Sequence, residues 1–233
     1  MTCLILLAAG RGSRLQSLTS QQPKCLNSYK GESLISRIIQ IVPTLESYID
    51  RVIVIGGYKG ELIKSYGDVY LENTDWYNSG PFWTLLYADS ILSSEECIVS
   101  YTDIYYDKSF LNACLESKDP IFLPSNANFR ESWLLRNIDV LEDLESFKYR
   151  NNRIEEIGKR PKSVNEVQGQ FSGIFKTTPE GWFALKTVAV NHEPRRLDMT
   201  TAFSHAIDKG VIIKCSQVYA MWKEFDIPTD FVE

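Results

Sequence analysis

Apolar residues along the chain alternate between short unbroken runs and stretches of helical spacing. Residues 3–9 (CLILLAA) form such a run, the mark of a strand covered on both faces. Residues 10–22 are polar, rich in Gly, Arg, Ser and Gln, and read as a loop. After Ser33, the residues Leu34, Ile35, Ile38, Ile39 and Val42 recur at helical spacing, with Pro43 near the end. Residues 51–56 (RVIVIG) predict a second buried strand, stopped by Gly56 and Gly57. A short helix over 60–66, a strand over 69–71, a helix over 82–92 and a fourth strand over 97–101 follow, the last ending at Thr102 and Asp103.

This β-α-β-α-β order predicts an α/β fold, with a mostly parallel, doubly covered sheet. Right-handed crossovers bring the C-terminal ends of such strands to one edge, and ligands bind there. Residues 10–14, residues 56–57 and Asp103 all follow predicted strands and should share that edge. The second half reads differently. Short strands over 133–141, 145–149, 153–157 and 170–176, partly antiparallel, precede helices over 179–188 and 199–209. A strand pair over 211–215 and 218–222 ends the series. No low-complexity linker or internal repeat divides the chain, so residues 1–233 are expected to form a single domain with a substrate-facing subregion from the second half.

Composition narrows the classes. The 233 residues, 44% hydrophobic and 24% charged, suffice for a real core. Lysine plus arginine number 25 against 30 acids, a net charge of −5, which disfavours a general nucleic-acid binder. The apolar runs are too short to span a bilayer, and the N-terminus does not read as a signal peptide. Five scattered cysteines with no CxxC pair fit neither a disulfide framework nor a zinc site. A soluble, cytoplasmic protein is the expectation. No pattern along the chain specifies an oligomeric state.

The segment Leu7-Ala8-Ala9-Gly10-Arg11-Gly12-Ser13-Arg14-Leu15, with Pro23-Lys24 beyond it, carries the first candidate chemistry. Small residues let a ligand approach the backbone, and turn amides cradle phosphate. Arg11, Arg14 and Lys24 would neutralise a triphosphate. A solvated turn fits this spacing equally well. The segment is not GxGxxG, because Leu15 stands at the third glycine position, and it lacks the GK[ST] ending of a P-loop. Asp103, at a strand end, suits a phosphate-bound Mg²⁺ or a helix N-cap alike. Trp133, Trp222 and Tyr219 could face a choline-type cation or simply pack in the core.

LAAGRGSRL, followed by Thr19 and Pro23-Lys24, resembles the LAAGxGxRL…T-x-x-x-PK signature of nucleotidyltransferases that join an NTP to a phosphorylated sugar or small alcohol. Trp222-Lys223-Glu224-Phe225-Asp226, with Asp230-Phe231 beyond, resembles that family's W-x-E-I-D-x-x-x-D ending, and residues 153–161 resemble its lysine-proline segment. Ser100-Tyr101-Thr102-Asp103-Ile104 is similar to the S-Y-[AGS]-D-I of small cytidylyltransferases acting on phosphocholine, phosphonates and other small acceptors. The resemblance implies a glycosyltransferase-A-like nucleotidyltransferase fold, a Rossmann-like three-layer α/β/α arrangement on a mixed sheet with a small antiparallel acceptor-binding subregion. Residues up to about 125 would bind nucleotide, and 126–233 would bind acceptor and supply the second metal ligand.

By the same resemblance, Leu7, Ala8, Ala9, Gly10, Arg11, Gly12, Arg14, Lys24, Gly57, Tyr58, Gly80 and Tyr101 would contact the nucleotide. Asp103 and Asp226 would bind Mg²⁺, with Glu224 in support. Arg11 and Lys24 would stabilise departing pyrophosphate, and Lys159 would align the acceptor. Arg160, Gln170, Gly173 and Trp222 would complete the acceptor site. The implied reaction transfers CMP from CTP, or a nucleotidyl group from another NTP, to a small phosphate or phosphonate in cell-surface polysaccharide or phosphonate biosynthesis. The alternatives are a sugar-1-phosphate nucleotidyltransferase and a catalytically idle nucleotide-binding homologue. His192 and His205 lie outside every motif, and Asp198 reads as an N-cap.

Overall fold

The computed structural model of the chain describes residues 2–45, 48–134, 141, 144–189 and 195–232. Among them the strands in chain order are β1 (Thr2–Ala8), β2 (Ser28–Tyr29), β3 (Glu32–Ser33), β4 (Ile49–Gly56), β5 (Val69–Glu72), β6 (Cys97–Tyr101) and β7 (Ile104–Tyr106). They continue as β8 (Ile121–Asn126), β9 (Phe147–Arg150), β10 (Arg153–Ile157), β11 (Gln170–Phe171), β12 (Ile174–Thr177), β13 (Lys214–Val218) and β14 (Trp222–Glu224). Ten build one sheet, ordered β5-β4-β1-β6-β12-β8-β13-β10-β9 with β11 beside β8. β2 with β3, and β7 with β14, form two small separate ladders.

The strands β5, β4, β1 and β6 run parallel, and β12 is antiparallel to β6 and β8. From β1 the chain steps outward to β4 and β5, then returns to the other side of β1 as β6. The order therefore reverses between β1 and β6, and the loops leaving them diverge into a crevice.

Alternation along each strand sends neighbouring residues to opposite faces. Cys3, Ile5, Ile53, Ile55, Cys97 and Val99 enter one core. Leu4, Leu6, Val52, Val54 and Ile98 enter the other. Both faces are covered, which is why these strands read as continuous apolar runs. Helix Leu34–Ile41 buries its apolar stripe on the second face and is capped by Ser33, whose side chain accepts from the Ser36 amide.

Several expected elements differ. The helix over 60–66 is a pair of 3₁₀ turns, Gly60–Leu62 and Lys64–Tyr66, with left-handed Lys59 before them. The helix over 82–92 is a succession of short pieces, Pro81–Leu85, Leu86–Ala88 and Asp89–Leu92. The loop over 10–22 contains a 3₁₀ segment, Ser13–Thr19, kinked at Gln16. Of the strand expected over 133–141, residues 133–134 belong to helix Phe129–Leu134 and 135–140 lie outside the described residues. Phe129, buried at the start of this segment, anchors a helical turn there instead. The strand over 170–176 breaks at Ser172-Gly173 into β11 and β12, with Gly173 at φ 75°. The pair over 211–215 and 218–222 is no hairpin: β13 joins the main sheet beside β8, whereas β14 pairs with β7. The fully buried β8 was not among the expected strands; it holds Pro124, a residue that central strands disfavour.

Ile53→Ala, at a fully buried position in the β4 core, should cost about 2–5 kcal/mol in urea denaturation. Phe183→Ser, at a side chain 68% exposed, should stay within about 0.5 kcal/mol.

Candidate active site

The crevice is built by register. β7 begins one residue after Asp103, and β14 ends two residues before Asp226. The strands pair antiparallel, with Glu224 opposite Ile104. The Phe225 amide then donates to the Asp103 carbonyl at 3.0 Å. Residues far apart in sequence are thereby set side by side. Phe225 is held against Tyr29 and Phe231, with ring centroids 4.9 and 4.7 Å away. Asp230 fixes the turn after Asp226: its Oδ2 accepts from the Asp226 amide at 2.7 Å and the Ile227 amide at 3.0 Å.

Lys24 completes the cluster. Its Nζ donates to Asp103 Oδ2 at 2.8 Å and to Asp226 Oδ1 at 2.7 Å. Arg14 lies 3.5 Å from Asp226 Oδ2 at the outer side. The stem of Lys24 crosses the glycine-rich turn where Gly12 sits at φ 68°. A Cβ on Gly12 would meet the Lys24 side chain at 2.8 Å, so glycine serves both the turn and the crossing. Burial opposes the ammonium charge, but Asp103 and Asp226 outweigh it and hold Lys24 well above the ordinary lysine value. Asp103 Oδ1 is buried with no hydrogen-bond partner among the described residues.

Three cavities meet around this cluster. One of about 290 Å³ is lined by Gly10, Gly12, Arg14, Lys24, Asp103 and Asp226, among others. A second, about 140 Å³, lies between the β1 exit and the Trp76–Thr84 region, with Leu7, Ala9, Gly80 and Tyr101 in its lining. A third, about 310 Å³, shares Arg14, Asp103 and Asp226 and extends over Gln170, Gly173 and Trp222. Gly80 admits no side chain, since a Cβ would meet the Leu197 carbonyl oxygen at 2.5 Å. Cys25, at the floor of the first cavity, is pushed up to about 12 by burial and stays a thiol.

Other expected residues lie further out. Arg11 does not line these cavities; it is exposed and stacks 5.3 Å over the Tyr58 ring. Gly57 and Tyr58 stand behind the second cavity. The Tyr58 amide donates to the Ala9 carbonyl at 3.0 Å, and its ring packs 5.1 Å from Trp76. Lys159 is half exposed, with Nζ 4.0 Å from Glu156 Oε2, and neither it nor Arg160 lines the third cavity. Tyr219 is exposed, its hydroxyl donating to Gln217, and His192 lies outside the described residues. Sequence reasoning gave no role to Thr102, whose hydroxyl donates to the Leu7 carbonyl at 2.8 Å and ties β6 to β1. It also passed over the anchoring by Asp230, although the second Asp of the C-terminal motif was its signal. Asp198 does cap helix Met199–Asp208, accepting from the Thr201 amide at 2.7 Å, and it also lines the third cavity.

A MobA-like NTP transferase domain matches residues 4–164, more than half of the chain. The chain belongs to this family of nucleotidyltransferases. Among curated relatives of this nucleotidyltransferase, a CTP:phosphoglutamine cytidylyltransferase of Campylobacter jejuni is 27% identical over 97% of this chain and 96% of its own length. Two solved structures share the fold. The inositol-1-phosphate CTP transferase from T. maritima superposes with a TM-score of 0.78 at 23% identity, covering 99% of this chain and 91% of its own. The CTP:phosphocholine cytidylyltransferase LicC from Streptococcus pneumoniae gives 0.73 at 19%, covering 99% and 96%.

Two outcomes test this geometry. Asp230→Ala should leave the chain folded but lower pyrophosphate release about tenfold or more, because the Asp226 turn loses its acceptor. Unchanged release would contradict that role. Lys24→Met leaves two neighbouring carboxylates unbalanced and should cost about 3 kcal/mol. A raised lysine value means the stabilisation is complete below 10.5 and is lost only as pH rises through the folded value. The stability difference from wild type, measured in urea, should therefore be constant from about pH 7 to about pH 9.

Proposed function

We propose that this nucleotidyltransferase moves CMP from CTP to a small phosphate or phosphonate monoester and releases pyrophosphate. The observation that carries it is the Lys24–Asp103–Asp226 cluster at the mouth of the glycine-rich turn. The full-length likeness to a CTP-dependent relative supports the choice of nucleotide. In this reading the first cavity takes the triphosphate, the second the base and ribose, and the third the acceptor.

The donor set fits Mg²⁺. Asp103 offers a buried carboxylate oxygen without a partner, and Asp226 stands beside it. Mg²⁺ takes one or two carboxylates and completes its shell with phosphate oxygens and water. When bound, it would neutralise phosphate charge during transfer. The residues of the chain do the rest. An ammonium has three N–H bonds; Lys24 gives one to each aspartate and keeps a third for a phosphate oxygen. The Gly10–Gly12 backbone lies against the triphosphate, and Arg11 reaches the departing pyrophosphate from the rim. Gln170, Gly173 and Trp222 hold the acceptor, and Lys159 and Arg160 add positive charge at its edge.

An acceptor phosphate oxygen attacks the α-phosphorus in line. The bond from that phosphorus to the bridging oxygen breaks, and pyrophosphate leaves with the electron pair. A monoester with a second pKa near about 6 is already dianionic, so no general base is needed. Positioning and charge neutralisation account for the rate. A cytoplasmic reaction would fit a need for CTP, and the activated product would suit a later transferase that decorates surface polymers or phosphonates.

A panel of four NTPs crossed with small phosphomonoesters and sugar 1-phosphates, read by pyrophosphate release, tests the reading. CTP with a small acceptor should be fastest. Asp103→Asn and Asp226→Asn should each lower that rate by about 10²–10³ with the fold retained. Preference for a sugar 1-phosphate, or near-normal rates in either variant, would contradict it.

A further inference from the structure

The loop that walls the second cavity is held from two directions. Beneath it, buried Asn73 donates to the Ser79 hydroxyl at 2.8 Å and to the Thr84 hydroxyl at 2.9 Å. From outside, residues 195–198 run along it as a strap. The Gly80 amide donates to the Arg195 carbonyl at 2.8 Å, and the Phe82 amide to the Leu197 carbonyl at 3.3 Å. Alternate residues of the two segments are thus joined as in a short ladder. Gly80 is required by this closeness, since a Cβ there would also meet the Arg196 carbonyl carbon at 2.6 Å. Leu197 is buried in the same core as Phe82.

Two arginines fasten the outer end of the strap. Arg195 Nη1 donates to Asp75 Oδ2 at 3.1 Å, and its guanidinium lies 5.7 Å from the centre of the Trp83 ring. Arg196 Nη2 reaches the Tyr77 carbonyl at 3.4 Å. Asp75 is itself fixed: its amide donates to Asn73 Oδ1 at 3.0 Å, and its Oδ1 accepts from the Asn78 side chain at 3.3 Å. At its other end the strap becomes acceptor wall, because Asp198 caps helix Met199–Asp208 and lines the third cavity with Thr200. Pro81, between the two residues bonded to the strap, lines the second and third cavities alike. One short segment therefore sets a wall of each cavity and the partition they share. The Arg195 side chain is 67% exposed, and a pair so exposed adds little to stability. Its leverage is on alignment, where a misplacement of one ångström can cost about 10²-fold in rate.

We propose that Arg195 is a positioning residue for the transfer: through its ion pair with Asp75 it holds residues 195–198 against the Gly80–Phe82 turn and so sets the nucleotide and acceptor cavities relative to each other. It lines none of the three cavities and acts through Pro81 and Asp198, which do. The inference rests on the nucleotidyl-transfer reading above and adds to it a residue outside every motif of the sequence.

The experiment measures steady-state pyrophosphate release with the NTP and acceptor that turn over fastest in the panel above. Arg195→Ala should raise KM for the nucleotide and KM for the acceptor, each about fivefold or more. Asp75→Ala should do the same, and the double variant should be no worse than Asp75→Ala alone, because all three remove one pair. A merely structural loss would lower kcat with the folded fraction and leave both KM values in place. Arg150→Ala removes another exposed pair, with Glu155, from residues that line none of the cavities, and should keep both KM values within about twofold of wild type. Arg195→Ala with both KM values within about twofold of wild type, a rise in one KM alone, or single effects that multiply in the double variant would overturn the inference and leave the transfer reading standing. Absence of pyrophosphate release from every NTP with every acceptor would overturn the transfer reading, and this inference with it.

Discussion

One ammonium between two carboxylates holds the crevice in shape. Lys24 reaches from the turn after β1 to the end of β6 and to the C-terminal segment, at 2.8 and 2.7 Å. Each partner is positioned by a different device. Gly12 opens the path for the lysine stem, the Asp103 carbonyl accepts the Phe225 amide, and Asp230 closes the turn behind Asp226. Two aspartates this close would repel without a cation between them. The lysine supplies that cation across the neutral pH range.

The same constraint links fold to chemistry. The reversal of strand order between β1 and β6 opens the crevice, and the two loops that diverge there carry the glycine turn and Asp103. The small β7–β14 ladder, separate from the main sheet, delivers Asp226 to the same point. Beyond it the third cavity shares Arg14, Asp103 and Asp226 and extends over Gln170, Gly173 and Trp222.

The parallel half of the sheet was legible in the sequence because burial on both faces leaves unbroken apolar runs, as at Ile5 and Ile53. The second half was not. β8 hides a proline among its buried residues, and β11 and β12 are divided by a left-handed glycine. β14 leaves the expected hairpin because its partner, β7, lies more than a hundred residues away. Lys24, Asp103 and Asp226 were named from motifs, but their mutual contact was invisible, since it depends on long-range register. Lys159 and Arg160 were named the same way, yet the structure sets them at the edge of the cavity. Asp198 was legible as a helix cap, but its place in the third cavity was not, because that depends on separate elements packing together.

The central claim is that Lys24 occupies the charge of the aspartate pair until a nucleotide brings its phosphates. Manganese binding followed by electron paramagnetic resonance tests this directly, with Mn²⁺ standing for Mg²⁺. The wild-type protein should bind Mn²⁺ weakly alone and about tenfold or more tightly once CTP is added, with the gain lost in Asp103→Asn. Equally tight binding without nucleotide, or a CTP-dependent gain that survives Asp103→Asn, would contradict the account.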